Sequence, residues 1–250
     1  MRMLALLSPR ARARLAGFCQ FMEGWTSSSG QVFLLGSLIV QGSAAATAHN
    51  ILAHETQFRL GFVASVAGVA FHLAWALFMY QLLRPVHRTI AALAGLFVIV
   101  CCGLQALTAL FYFAPLVILQ SGQAAGGLDT QQAQGLAYAV LQVNGAAYDL
   151  DLVFFGLWCV LTGYLVWRST FLPGLLGILL VVDGVGWTLF LWPPLATFLF
   201  PAIAVASGLA ELPMQLWLLI MGVNNERWHQ RAAAARERDA EQLRLAQEPV

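Results

Sequence analysis

The stretch ASGLAELPMQLWLLIMGV (206–223) is apolar enough to cross a bilayer, yet it carries a carboxylate, Glu211, near its centre. Three more ionisable residues lie in apolar surroundings: Asp183, His72 and, closer to the chain start, Glu23. An ionised side chain at mid-membrane costs about 2.5–3.5 kcal/mol on an insertion scale, so such residues face a bundle interior or a wet cavity. A neutral carboxyl costs less there and can donate a hydrogen bond. Three readings stay open for this set. The acids fix packing by bonding to His72, Trp187, Gln215 or a free backbone carbonyl; or carboxylates and imidazole handle protons or a small cation; or they hold a metal. The metal reading has the least behind it. A lone buried histidine with scattered carboxylates lacks any recognisable ligand spacing, so neither a metal nor a cofactor is expected. Pro213 cannot donate to the carbonyl of Leu209, which frees that carbonyl near Glu211.

These residues need helices to position them. Of 250 residues, 60% are hydrophobic and 10% charged. Soluble domains run near half apolar and a quarter charged, and a chain this size could not hide so much apolar surface from water. Five segments, about 60–83, 90–114, 146–167, 172–192 and 198–222, have the ~20 residues that cross ~30 Å of hydrocarbon. A sixth, about 16–36, is more polar. Gly17, Gln20, Gly24, Ser27 and Gln31 fall on one helical side and Phe18, Met22, Trp25 and Val32 on the other, which suits a span with one lipid face. The rival is an amphipathic helix lying on the surface.

Charge placement argues for the span. All 13 basic residues are arginine, and with six spans every one but Arg59 falls on the side of the N-terminus. The positive-inside rule then puts both termini in the cytoplasm. The expected fold is all-α: a polytopic bundle of six transmembrane helices forming a single domain over 1–223, with a charged helical tail over 224–250. Loop 37–59 is expected to hold a short helix.

Each span has an expected interior face: Gly61, Ser65, Gly68, His72 and Met79; Cys101, Gln105, Thr108 and Tyr112; Asp149, Gly156 and Gly163; Gly177, Asp183, Gly184 and Trp187; Ser207, Glu211 and Gln215. Small residues let helices approach and polar ones bond across them. Asp149 and Asp151 read as capping acids in the first turns of the fourth span. The four cysteines read as small apolar packing residues, with neither zinc nor disulfide spacing. His49, His54 and His87 read as solvated surface. No phosphate loop, nucleophile elbow or His-Glu-x-x-His motif is present, and the arginines follow from topology rather than from nucleic acid.

The segments RLAGF (14–18), AAATAHNILAHETQFRLGF (44–62), LLRPVHRTIAALAGLF (82–97), YDLDLVFFGLWCVLTGYLVWRSTFLPGLLGILL (148–180) and ELPMQLWLLIMGV (211–223) together resemble the bacterial integral membrane proteins of the domain-of-unknown-function 4386 family. The resemblance implies a six-span protein of a bacterial plasma membrane and leaves the activity open. Glu211, Arg59 and Arg168 match positions of the family pattern; Glu23, Ser27–Ser29, His49 and His54 are more polar than it. The expected function is binding or passage of a small ligand or ion, coupled to protons, through the interior around Glu211, Asp183, His72 and Glu23, with Gln215, Gln105 and Trp187 in support. A non-catalytic membrane subunit and an intramembrane enzyme remain the alternatives. The bilayer is the expected partner; a protein partner or a second copy is not specified.

Overall fold

A computed structural model describes residues 7–121 and 127–245. Arg2, the Gly-rich stretch 122–126 and the end of the tail, 246–250, lie outside the described residues. Among those described, the regular structure is helical, without strands: α1 (Pro9–Ser28), α2 (Ala44–Ala53), α3 (Glu55–Leu83), α4 (Arg88–Ser121), α5 (Thr130–Arg168), α6 (Gly174–Thr188), α7 (Pro193–Leu216) and α8 (Asn225–Leu245). α1 continues into a π-helical turn, Ser29–Leu35, and α7 into another, Trp217–Met221.

Among the described residues, five helical stretches are long and apolar enough to cross a membrane: Glu55–Leu83, Arg88–Ser121, Thr130–Arg168, Gly174–Leu191 and Pro193–Met221. Three contain one of the five clear apolar segments whole; Gly174–Leu191 and Pro193–Met221 fall one or two residues short of the bounds 172–192 and 198–222. Large apolar side chains stand exposed along them, among them Leu60, Leu96, Ile99, Leu110, Leu175 and Phe198. In water such a surface would drive aggregation; lipid is the solvent that suits it. This is a polytopic helical membrane protein. The segment 16–36 is helical throughout but falls outside that set of five.

One boundary differs from the hydropathy reading. α5 starts at Thr130, well before the apolar stretch 146–167 begins. Glutamine and alanine favour helix, so the segment 130–145 continues the helix without being apolar. Asp149 and Asp151 therefore sit mid-helix, where no terminal dipole reaches them, and the expected capping role is wrong.

The chain packs as two compact units. One comprises residues 20–73 and 99–153. Its apolar core gathers Leu38, Ile51, Phe58, Tyr112, Leu116 and Leu141, with the Phe58 and Tyr112 rings 4.8 Å apart. The short helix expected in loop 37–59 is α2. Ser43 caps it by accepting from the Ala46 N–H at 3.3 Å. Thr47 and Asn50 hold the preceding strap, Thr47 Oγ1 accepting from Val40 N–H at 3.0 Å and Asn50 Nδ2 donating to the Leu38 carbonyl at 3.2 Å.

The other unit comprises residues 1–19, 74–98 and 154–250. α5 and α6 cross here on glycines. A Cβ at Gly156 would lie 2.6 Å from the Gly184 carbonyl oxygen, and one at Gly163 2.6 Å from that of Gly177, so only hydrogen fits at these positions. Arginines finish the helix ends. Arg10 Nε and Arg14 Nη2 donate to the carbonyls of Met221 and Ile220, at 3.1 and 3.0 Å, closing the last turn after α7. α8 is fastened by Trp228, whose indole N–H donates to the Leu82 carbonyl at 3.0 Å.

Candidate functional site

Each unit carries a group of buried acids. In the unit of residues 20–73 and 99–153, α1 brings Glu23, α3 His72, α4 Gln105 and α5 Asp151. Nδ1 of His72 lies 3.1 Å from Oε1 of Gln105 and 4.0 Å from Oε1 of Glu23. An amide oxygen only accepts, so the imidazole donates to Gln105 from Nδ1. The carboxyls of Glu23 and Asp151 both lie close enough to the Gln105 amide to be influenced by it, without a hydrogen bond in good geometry. One glutamine thus bonds the histidine and stands beside two acids. Ser27 adds a donor to Glu23 Oε1 at 3.0 Å, and its own position is fixed by packing against Gly68.

The rest of that group is under-bonded. Asp151 is 2% exposed, beside the Cys101 thiol, and its Oδ1 finds no hydrogen-bond partner among the described residues. Both amide atoms of Gln20, one turn before Glu23, are likewise buried without a partner among the described residues. Buried polar groups are normally bonded, so these atoms mark a place with unused donors and acceptors.

In the other unit, α6 carries Asp183 and α7 Glu211. Asp183 is fully buried, with Glu211 near enough to act on it electrostatically and Cys159, Ser207 and Trp187 beside it. None of these meets an Asp183 oxygen in hydrogen-bonding geometry, and the Trp187 indole N–H is also without an acceptor among the described residues. Glu211 is half-buried and accepts from Ser207 Oγ at 2.8 Å. Two carboxyls side by side, with no arginine at their depth among the described residues, are not both ionised unless a cation joins them; otherwise a proton neutralises one.

The four expected site residues therefore form two pairs, Glu23 with His72 and Asp183 with Glu211. Gln105 joins the first and Trp187 flanks the second. Gln215 lies one turn beyond Glu211, its backbone carbonyl against Gly17. Asp151 was not anticipated in this role. The signal existed: Asn144, Asp151, Trp158 and Leu165 recur every seven residues, and all are buried. Among the described residues no three of His, Cys, Asp and Glu converge in metal-binding geometry.

The profile of a family described as a domain of unknown function (DUF4386) matches residues 15–222. The chain belongs to that family. Both acidic groups lie inside the matched stretch of this DUF4386 protein, and α8 lies outside it. The DUF4386 chain is also 29% identical over 149 residues to an uncharacterized protein of Archaeoglobus fulgidus, covering 59% of this chain and 74% of that one. No solved structure matches it.

Proposed function

We propose that this protein binds a small cation and exchanges it against protons in its bundle interior, as a six-span, single-domain protein of a bacterial plasma membrane with both termini cytoplasmic. One observation carries the reading: Gln105, bonded to His72, stands beside both Glu23 and Asp151 in one largely buried polar group, with Glu23 4.0 Å from the imidazole. An acid and an imidazole 4.0 Å apart can pass a proton through one intervening water or by a small approach. A cation arriving beside two carboxylates displaces the proton that otherwise neutralises them. The unused atoms of Gln20 and Asp151 supply further ligands for such a guest. The Asp183–Glu211 pair provides a second acidic site of the same kind.

The test uses the purified full chain in lipid vesicles loaded with a pH-sensitive dye and pulsed with sodium or potassium. The expected result is a change of internal pH that Glu23→Gln and Asp151→Asn each reduce at least about tenfold, below the ~10²–10⁴ of a full general acid–base contribution. If vesicles with the wild-type chain respond no more than empty ones, the proposal fails. An accessory role would instead leave both variants altered in stability alone.

A further inference from the structure

The unit of residues 1–19, 74–98 and 154–250 holds a cavity of about 410 Å³ whose walls are basic. The turn between α3 and α4 contributes Arg84, His87 and Arg88; α8 contributes Arg236 and Arg238; α1 contributes Arg12. Topology alone asks for arginines near a membrane face, not for guanidinium groups converging on one hollow. Other arginines of this unit are engaged in backbone contacts: Arg10, Arg14 and Arg227 donate to the carbonyls of Met221, Ile220 and Thr170. Around the cavity five arginines face one acid, Asp239; of these Arg238 donates from Nε to the Ala234 carbonyl of its own helix at 3.3 Å. Its ion pair with Arg88, at 4.0 Å, joins two largely exposed groups. A pair so placed in water holds little energy and opens readily.

The cavity is also built rather than incidental. Trp228 is buried in it, locked to the Leu82 carbonyl, and the Arg12 guanidinium lies 5.9 Å over its ring. That contact holds one cation in place from below. The N-terminus of α4, a helix of 34 residues, opens on the same hollow at Arg88 and Thr89, and its dipole favours an anion there. Planar guanidinium forks suit phosphate oxygens in pairs.

We infer that this arginine-walled cavity binds a phosphate group, carried either by an anionic lipid headgroup or by a soluble phosphate ester. The proposal is independent of the acidic groups and of any proton exchange. It assigns α8 a role as one wall of the site.

The test compares the full chain with Arg84→Gln/Arg88→Gln, with Arg236→Gln/Arg238→Gln, and with the control Arg244→Gln, which lies on α8 outside the cavity wall. The altered arginines are exposed, so their loss empties no core. Native mass spectrometry counts phosphatidylglycerol retained from mixed micelles with phosphatidylcholine. Thermal unfolding in phosphatidylcholine alone reads binding of glycerol phosphate. Removing two arginines is expected to weaken the phosphate-bearing ligand about ten- to thirty-fold, with the control unchanged and the difference shrinking at high salt. Selective phosphatidylglycerol retention alone identifies a lipid headgroup; stabilisation by glycerol phosphate identifies a soluble ester. If wild type shows neither, or if both double variants bind as wild type does, the proposal is overturned.

Discussion

Nδ1 of His72 and Oε1 of Gln105 meet at 3.1 Å, joining α3 to α4 through a side chain that also stands beside Glu23 and Asp151. Replacing Gln105 by Leu removes the acceptor of the imidazole N–H and takes a polar neighbour away from two carboxyls. Each polar group left buried and unbonded costs roughly 1–3 kcal/mol. Gln105→Leu is therefore expected to lower resistance to denaturant in detergent by about that amount, and to abolish the cation-dependent pH change in vesicles. A variant that keeps its full stability would show that the glutamine bridges nothing.

Asp183 presents the opposite case. Its oxygens are buried without hydrogen-bond partners among the described residues, beside a second acid. Removing the charge at constant shape should relieve that arrangement. We expect Asp183→Asn to unfold later than wild type, by about 1–3 kcal/mol, while the response to cations weakens. Gain of stability with loss of response is the signature of a residue kept for function. Loss of stability would make Asp183 a packing residue.

The glycines of the α5–α6 crossing give a packing test with a built-in comparison. An alanine methyl at Gly156 meets backbone atoms of the facing helix, and overpacking of this kind costs about 1–3 kcal/mol. Gly145, on the same helix, has nothing within 4 Å of an added Cβ. There alanine gains about 0.5–1 kcal/mol from the backbone alone. The two substitutions are expected to move unfolding midpoints in opposite directions.

Trp228→Phe keeps an aromatic face under Arg12 but deletes the N–H that holds α8 to Leu82. The loss is about 1 kcal/mol locally, with the Leu82 carbonyl left without that donor. Limited proteolysis should cut the variant within α8 severalfold faster than wild type, since cleavage follows the population of the opened state. Equal rates would mean that the helix is held elsewhere.

Topology is open to direct labelling. All four native cysteines are buried and outside any disulfide, so an impermeant maleimide reports only on introduced ones. With six spans, Ser8→Cys and Ala240→Cys label from one side of a sealed vesicle and Gln41→Cys from the other. Labelling of Ser8→Cys and Gln41→Cys from the same side would lay the first helix on the surface.

The five apolar helices were legible because hydrocarbon demands a long run of apolar residues, and hydropathy reads little else. The same dependence hid the true start of α5. Gln131 and Gln132 are poor membrane residues and good helix formers, so the helix outruns its apolar part. Reading Asp149 and Asp151 against that false start made them caps. Partners across helices were not legible. Small residues at 61, 68, 156 and 163 announced close approach, yet nothing along the chain says which helix approaches which. That Glu23 would meet His72, and Asp183 Glu211, required the packed structure.

At about 1.5 Å per residue, the 39 residues of α5 extend roughly 58 Å, nearly twice the thickness of a bilayer's oily layer. Only its apolar portion matches that layer; glutamines mark one end and Arg168 the other. Such a rod acts as a depth gauge. Lipids with longer or shorter acyl chains have to stretch, thin or tilt the helices to meet it.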